Sequence, residues 1–161
     1  MALELNGTTG VSAVQAGAVE SGDLPAGSVI QVVSVKSFNE TDFNSSAITT
    51  TDYSASITPS STSNKILILF SLPVRKNTTT TNAGISFYLY KNNSQIERLN
   101  NQLLYELSDE IYSSFAFNYI DNPNTTSSTV YDIRVNVPTA GPFRINDAGD
   151  VGELILMEIA G

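Results

Sequence analysis

The chain has 161 residues, of which 41% are hydrophobic and only 15% charged, with a formal net charge of −8. That length suits one domain with a real hydrophobic core and is too short for two comfortable ones. The eight cationic residues are scattered from Lys36 to Arg144 with no run longer than Arg75-Lys76, so they form no phosphate-tracking stripe, which argues against nucleic acid as a partner.

In chain order, residues 1–27 stand apart. The opening Met1-Ala2-Leu3-Glu4-Leu5-Asn6-Gly7 lacks the positive and apolar regions of a secretory signal. Val11, Val14, Ala16 and Val19 belong to a run of small, mildly apolar residues with no strand alternation and too many glycines and β-branched residues for a helix. Leu24-Pro25-Ala26-Gly27 closes the segment with a turn. A disordered tail is one reading of such a terminus. An arm that orders against a neighbouring chain is the reading favoured here, because valines and alanines spaced by glycine suit close packing.

From Ser28 the chain becomes a series of strand signals. Val29–Val35 is β-branched and nearly continuous, as in a strand covered on both faces. Ala47–Thr58 alternates and ends at Pro59. Ile66–Leu72 is the strongest core strand and is expected to stop at Pro73. It contains the longest strongly apolar run, Ile66–Phe70, far below the ~20 residues of a membrane span. Ile85–Tyr90 precedes Lys91-Asn92-Asn93-Ser94, a hairpin turn into Gln95-Ile96-Glu97. Leu99–Leu107 has some helical character, but its length and its asparagine pair argue against a helix.

Tyr112–Ile120 alternates, with Ser113, Phe115, Phe117 and Tyr119 on one face. Val130–Val137 alternates most cleanly, with Tyr131, Ile133, Val135 and Val137 opposed to Asp132, Arg134 and Asn136. Phe143–Ile145 and Leu154–Ile159 complete the set. About eight strands at this spacing, without alternating helices, predict an all-β antiparallel sandwich of the jelly-roll kind over residues 28–161.

The chemical inventory is thin. With no His and no Cys, there is no Ser-His-Asp or Cys-His site, no disulfide and no common zinc site. No glycine-rich phosphate loop is present. Glu106, Asp109 and Glu110 form one acidic cluster, read as a solvated loop rather than a pair of glycosidase carboxylates. Calcium is a weaker reading for Asp109 and Glu110, or for Asp147 and Asp150, because the latter turn lacks the length and trailing Glu of an EF-hand loop. No cofactor and no catalytic residue are expected.

The aromatics carry more. Phe87, Tyr88, Tyr90, Phe115, Phe117 and Tyr119 could stack on carbohydrate, but alternating strand aromatics are usually core. Tyr88 and Tyr90 fall on the face opposite Phe87 and Leu89. A sheet apolar on both sides implies a partner outside the sandwich, and another copy is the simplest one. Tyr88, Tyr90, Phe115, Phe117 and Tyr119 are therefore expected in a threefold interface or the core, and Val11, Val14, Ala16, Val19 and Leu24 in an anchoring arm.

Three segments also carry a likeness: Ile57-Thr58-Pro59-Ser60-Ser61-Thr62-Ser63-Asn64-Lys65-Ile66-Leu67-Ile68, Tyr119-Ile120-Asp121-Asn122-Pro123-Asn124-Thr125-Thr126, and Ile155-Leu156-Met157-Glu158-Ile159-Ala160. Over about residues 24–161 the chain resembles small virion structural proteins of tailed phages of aquatic bacteria, cyanophages included. The resemblance implies a trimeric jelly roll of the tumour-necrosis-factor-like kind, made in the bacterial host cytoplasm and located in the virion, with no catalytic motif. It implies virion partners, a major capsid protein or tail components, while the shortness of the apolar runs argues against a membrane partner. A homotrimeric capsid decoration or cement protein held by its arm is the first expectation, since no heptad stalk or collagen repeat builds a long fibre. A short tail fibre or fibre tip that binds a host surface receptor is the second, and a glycan hydrolase a distant third.

Overall fold

The computed structural model describes residues 23–105, 109–139 and 141–161. Among the described residues ten strands run in chain order: β1 (Val29–Ser37), β2 (Thr41–Phe43), β3 (Thr49–Ile57), β4 (Lys65–Lys76), β5 (Ser86–Lys91), β6 (Ser94–Arg98), β7 (Ile111–Asp121), β8 (Thr129–Asn136), β9 (Phe143–Ile145) and β10 (Gly152–Ile159). Two antiparallel sheets result. The first has β7 on one flank of β4, and on the other flank β10 along Lys65–Ser71 and β9 along Val74–Lys76. β1 lies outside β10, and β2 outside β9. The second has the order β3-β8-β5-β6.

β1 and β2 thus form one interrupted line, and β9 and β10 another, so that ten strands make eight lines, four to a sheet. The pairings nest: first line with last, β3 with β8, β4 with β7, and β5 with β6. A single long antiparallel ladder wound around the core gives this pattern, which is the jelly roll. At its centre is the β5–β6 hairpin, where Asn92 and Asn93 take φ of 49° and 66°. Two successive positive φ values define the hairpin turn whose twist matches the strands, and asparagine tolerates them best after glycine.

The core lies between the sheets. Ile66, Ile68, Phe70, Leu72 and Val74 of β4 face Tyr53, Phe87, Leu89, Tyr131, Ile133 and Val135, and all are buried. Phe87 and Phe115 stack with centroids 4.5 Å apart and planes 9° apart, which ties β5 to β7 across the sandwich. β4 continues through Pro73 to Lys76, contrary to the expected stop. Its partner β10 ends at Ser71 and β9 begins at Val74, so the proline falls in the gap between them, where the ladder on that flank demands no N–H. Leu99–Tyr105 forms no helix; Leu103 instead bridges to Ile85.

Each pole is closed by buried polar groups. At one, the Glu158 carboxylate accepts from Gln31 Nε2 (2.5 Å), Ser60 N (2.6 Å), Ser60 Oγ (2.8 Å) and Asn64 Nδ2 (2.6 Å). It thereby holds the β3–β4 loop against β1 and β10. Gly27 N donates to Ala160 O (2.8 Å) at the same pole, which is where the chain from Leu24 joins the sandwich. At the other pole Tyr53 Oη donates to Asn146 Oδ1 (2.7 Å), and Asn146, with φ of 55°, opens the short 3₁₀ turn Asp147–Gly149 between β9 and β10.

Candidate assembly surface

The two outward faces differ in chemistry because the alternation in β4 and β10 is not one of apolar with polar. In β4 the inward Ile66, Ile68 and Phe70 are interleaved with Leu67 and Leu69; in β10 the inward Leu154 and Leu156 are interleaved with Ile155, Met157 and Ile159. Strand register assembles the outward residues into rows. Val32, Met157, Leu67 and Ile120 form one apolar row across β1, β10, β4 and β7. Ser34, Ile155, Leu69 and Asn118 form the next, and Lys36, Glu153, Ser71 and Ala116 the one after. Val32 is 55% exposed and Ile120 58%. A monomer leaves few contiguous apolar surfaces of this kind uncovered.

Further along β4 the face turns charged. Tyr112, Arg75, Arg144 and Asp42 make a row across β7, β4, β9 and β2. Arg75 Nη1 donates to Asp147 Oδ2 (3.0 Å) and Nη2 to Glu110 Oε2 (2.9 Å), while the Tyr112 ring lies 5.0 Å from its guanidinium carbon. Arg144 reaches the other Asp147 oxygen (3.1 Å) and holds Asp42 through two bonds of 2.8 and 2.9 Å. Burial pushes the Asp147 carboxyl up, but hydrogen bonds from Arg144, Tyr112 and Arg75 outweigh it and hold the group below the ordinary carboxylate range. The Arg144 hydrogen bond likewise holds Asp42 low. A shallow cavity of about 220 Å³ opens beside this network, lined by Pro73, Arg75, Tyr112, Ser114, Asp147 and Asp150 among others.

The outer face of the second sheet is polar. Asp52, Ser54 and Ser56 of β3 and Asp132, Arg134 and Asn136 of β8 face outward there. Tyr88 and Tyr90 share that face, but the chain's own arginines cover them. The Arg134 guanidinium lies 3.9 Å over the Tyr90 ring and Arg98 lies 5.8 Å from that of Tyr88. Asp132 (2.5 Å) and Asn93 (2.7 Å) then fix Arg134.

No protein-family model matches the sequence, and no curated protein matches it. Among solved structures, the chain is similar to the VP2 protein of infectious bursal disease virus in its subviral particle, at 12% identity and a TM-score of 0.48, over 81% of this chain and 38% of that one. A second VP2 structure, from T=1 particles derived from the same virus, is similar at 12% identity and a TM-score of 0.46, over 81% and 36%. The chain spans well under half the length of these capsid proteins.

The residues singled out from sequence separate in space. Phe115, Phe117 and Tyr119 point into the sandwich from β7, Phe115 buried and the other two packed partly buried against the core. Tyr88 and Tyr90 lie on the opposite sheet's outer face, so the structure does not bring the five together. The face that is apolar on its outside belongs to β4 and β10, not to β5. Period-two reading of β5 placed Tyr88 and Tyr90 outward but carried no signal for the arginines that cap them. The contiguous apolar run Ile66–Phe70 was a legible signal for a strand apolar on both faces.

Val11, Val14, Ala16 and Val19 lie outside the described residues. Leu24 lines a cavity of about 320 Å³ with Ser60, Ser61, Ser63, Asn64, Ala160 and Gly161. Glu106 also lies outside the described residues, while Glu110 is engaged by Arg75. Asp147 has both oxygens occupied by guanidinium groups, and among the described residues no group of three or more acidic side chains is placed to hold a cation.

Proposed function

We propose that the chain is a non-enzymatic virion surface protein: a homotrimeric capsid decoration subunit, held to the particle by an arm comprising residues 1–27. The observation that carries this reading is the apolar outer face built by Val32, Leu67, Leu69, Ile155 and Met157, set against a polar outer face on the other sheet. One-sided apolarity in a jelly roll calls for a flat partner, and a further copy supplies it. The resemblance to small phage virion proteins supports the same reading and supplies the particle. Residues 24–27 join the sandwich at the Glu158 pole, where Gly27 N donates to Ala160 O, and this supports a reading in which that end faces the shell.

Leu67→Glu tests the interface, because Leu67 faces outward and a charge there leaves the core intact. The full chain should scatter light as a trimer and the variant as a monomer with an unchanged far-UV spectrum. A wild-type monomer at micromolar concentration would sink the trimer. Antibody labelling of virions tests the place: signal over the shell is expected, and signal confined to the tail would instead make the chain a short tail fibre.

A further inference from the structure

β7 is an edge strand without the usual protection. Among the described residues its only backbone partner is β4, and no other backbone hydrogen bond reaches it. Exposed edges pair with other chains unless they are short, bulged, proline-containing or charged. The other edges carry such devices. β1 has a register shift between Val29 and Gln31 and carries Lys36; β3 has one between Thr50 and Ser54 and carries Asp52. β2 has three residues, and β6 has five with Glu97 and Arg98. β7 has eleven residues in unbroken register with β4, and Ile111–Ile120 contains no charge and no proline.

The strand is also complementary to itself. In the antiparallel register that uses its full length, Ala116 lies opposite its own copy. Outward, Tyr112 then meets Ile120 of the second copy, and Ser114 meets Asn118. The two ends thus match the strand's most exposed apolar side chains, Tyr112 at 63% and Ile120 at 58%. Inward, Phe115 lies opposite Phe117, and Ser113 opposite Tyr119. Phe117 and Tyr119 are only partly buried in the single chain and would gain cover. Aromatic cross-strand pairs of this kind stabilise a sheet, and no like charges are opposed.

We propose that β7 pairs with β7 of a second copy about a twofold axis at Ala116, which makes one continuous sheet through both sandwiches. This rests on the reading of the chain as a surface-covering subunit and deepens it. Threefold contacts through the apolar face and twofold contacts through the β7 edge together propagate a lattice, as a shell covering needs and a fibre tip does not.

The test uses light scattering on the full chain up to about 100 μM, a range suited to a small contact. The wild type should first double in mass from trimer to hexamer and then grow by further trimers as concentration rises, since each trimer carries three β7 edges. Ala116→Lys alone and Ala116→Glu alone place like charges opposite one another on the axis and should each abolish the doubling. An equimolar mixture of the two should restore it. Absence of doubling in the wild type, doubling that survives Ala116→Lys, or no rescue on mixing would overturn the β7 contact. A failure of the trimer is distinguishable: the wild type would then be a dimer that Ala116→Lys converts to a monomer.

Discussion

Glu158 is fully buried, yet four donors satisfy it. Burial pushes its carboxyl up, but hydrogen bonds from Asn64, Gln31 and Ser60 outweigh that and hold it below the ordinary value of 4.5. The charge is therefore part of the fold, since charge-assisted bonds from the β3–β4 loop and from β1 converge on it. Glu158→Gln keeps the shape but replaces one acceptor oxygen with a donor, which must face Asn64 and Ser60 or Gln31. A loss of about 1–3 kcal/mol is expected in a urea titration. An unchanged midpoint would show that the carboxylate does not hold this pole. No periodicity marks such a residue: in the sequence Glu158 is one polar position in an apolar strand, and its partners are 94 to 127 residues away.

At the scale of elements, the strands were legible because apolar alternation is a local signal, and in β8 the inward Tyr131, Ile133 and Val135 are all buried. What was not legible was the partner on each side. Pro73 reads as a stop in isolation and is tolerated because β10 and β9 leave a gap beside it. The glycine that opens β10 is explained in the same way, by what lies across from it. A Cβ on Gly152, at the start of β10, would lie 2.0 Å from Tyr53 Oη and 2.9 Å from Leu72 Cβ, so only glycine lets β10 pass under the buried tyrosine. Gly152→Ala should cost about 1–3 kcal/mol through this overpacking, read as a lowered melting temperature. A variant that melts with the wild type would show that Tyr53 moves aside freely.

For the whole molecule, the lowered carboxylates sit at both poles: Glu158 at one, Asp147 and Asp42 at the other. Each has a folded-state pKa below its unfolded one, so its stabilising contribution is fully present above the unfolded value. That contribution is lost as the pH falls through the folded value, because the unfolded chain takes up the proton first. The melting temperature should therefore be flat from neutrality to about pH 5 and fall below it. Glu158→Gln should flatten part of that fall. A wild-type melting temperature that rises on acidification would contradict the assignment of these groups as native-state carboxylates.

The sequence by itself determined the fold class, the approximate strand set, the Asn92-Asn93 turn and the lack of His and Cys, all of which depend on composition or on residues close in the chain. Only the tertiary structure decided which sheet presents an apolar outer face, that Arg98 and Arg134 cover Tyr88 and Tyr90, and that among the described residues β7 pairs on one side alone. Alternation says that a side chain changes sides at each step. Which side is inside, and what lies across from it, depends on contacts made over long separations, as Glu158 with Asn64 or Tyr53 with Asn146.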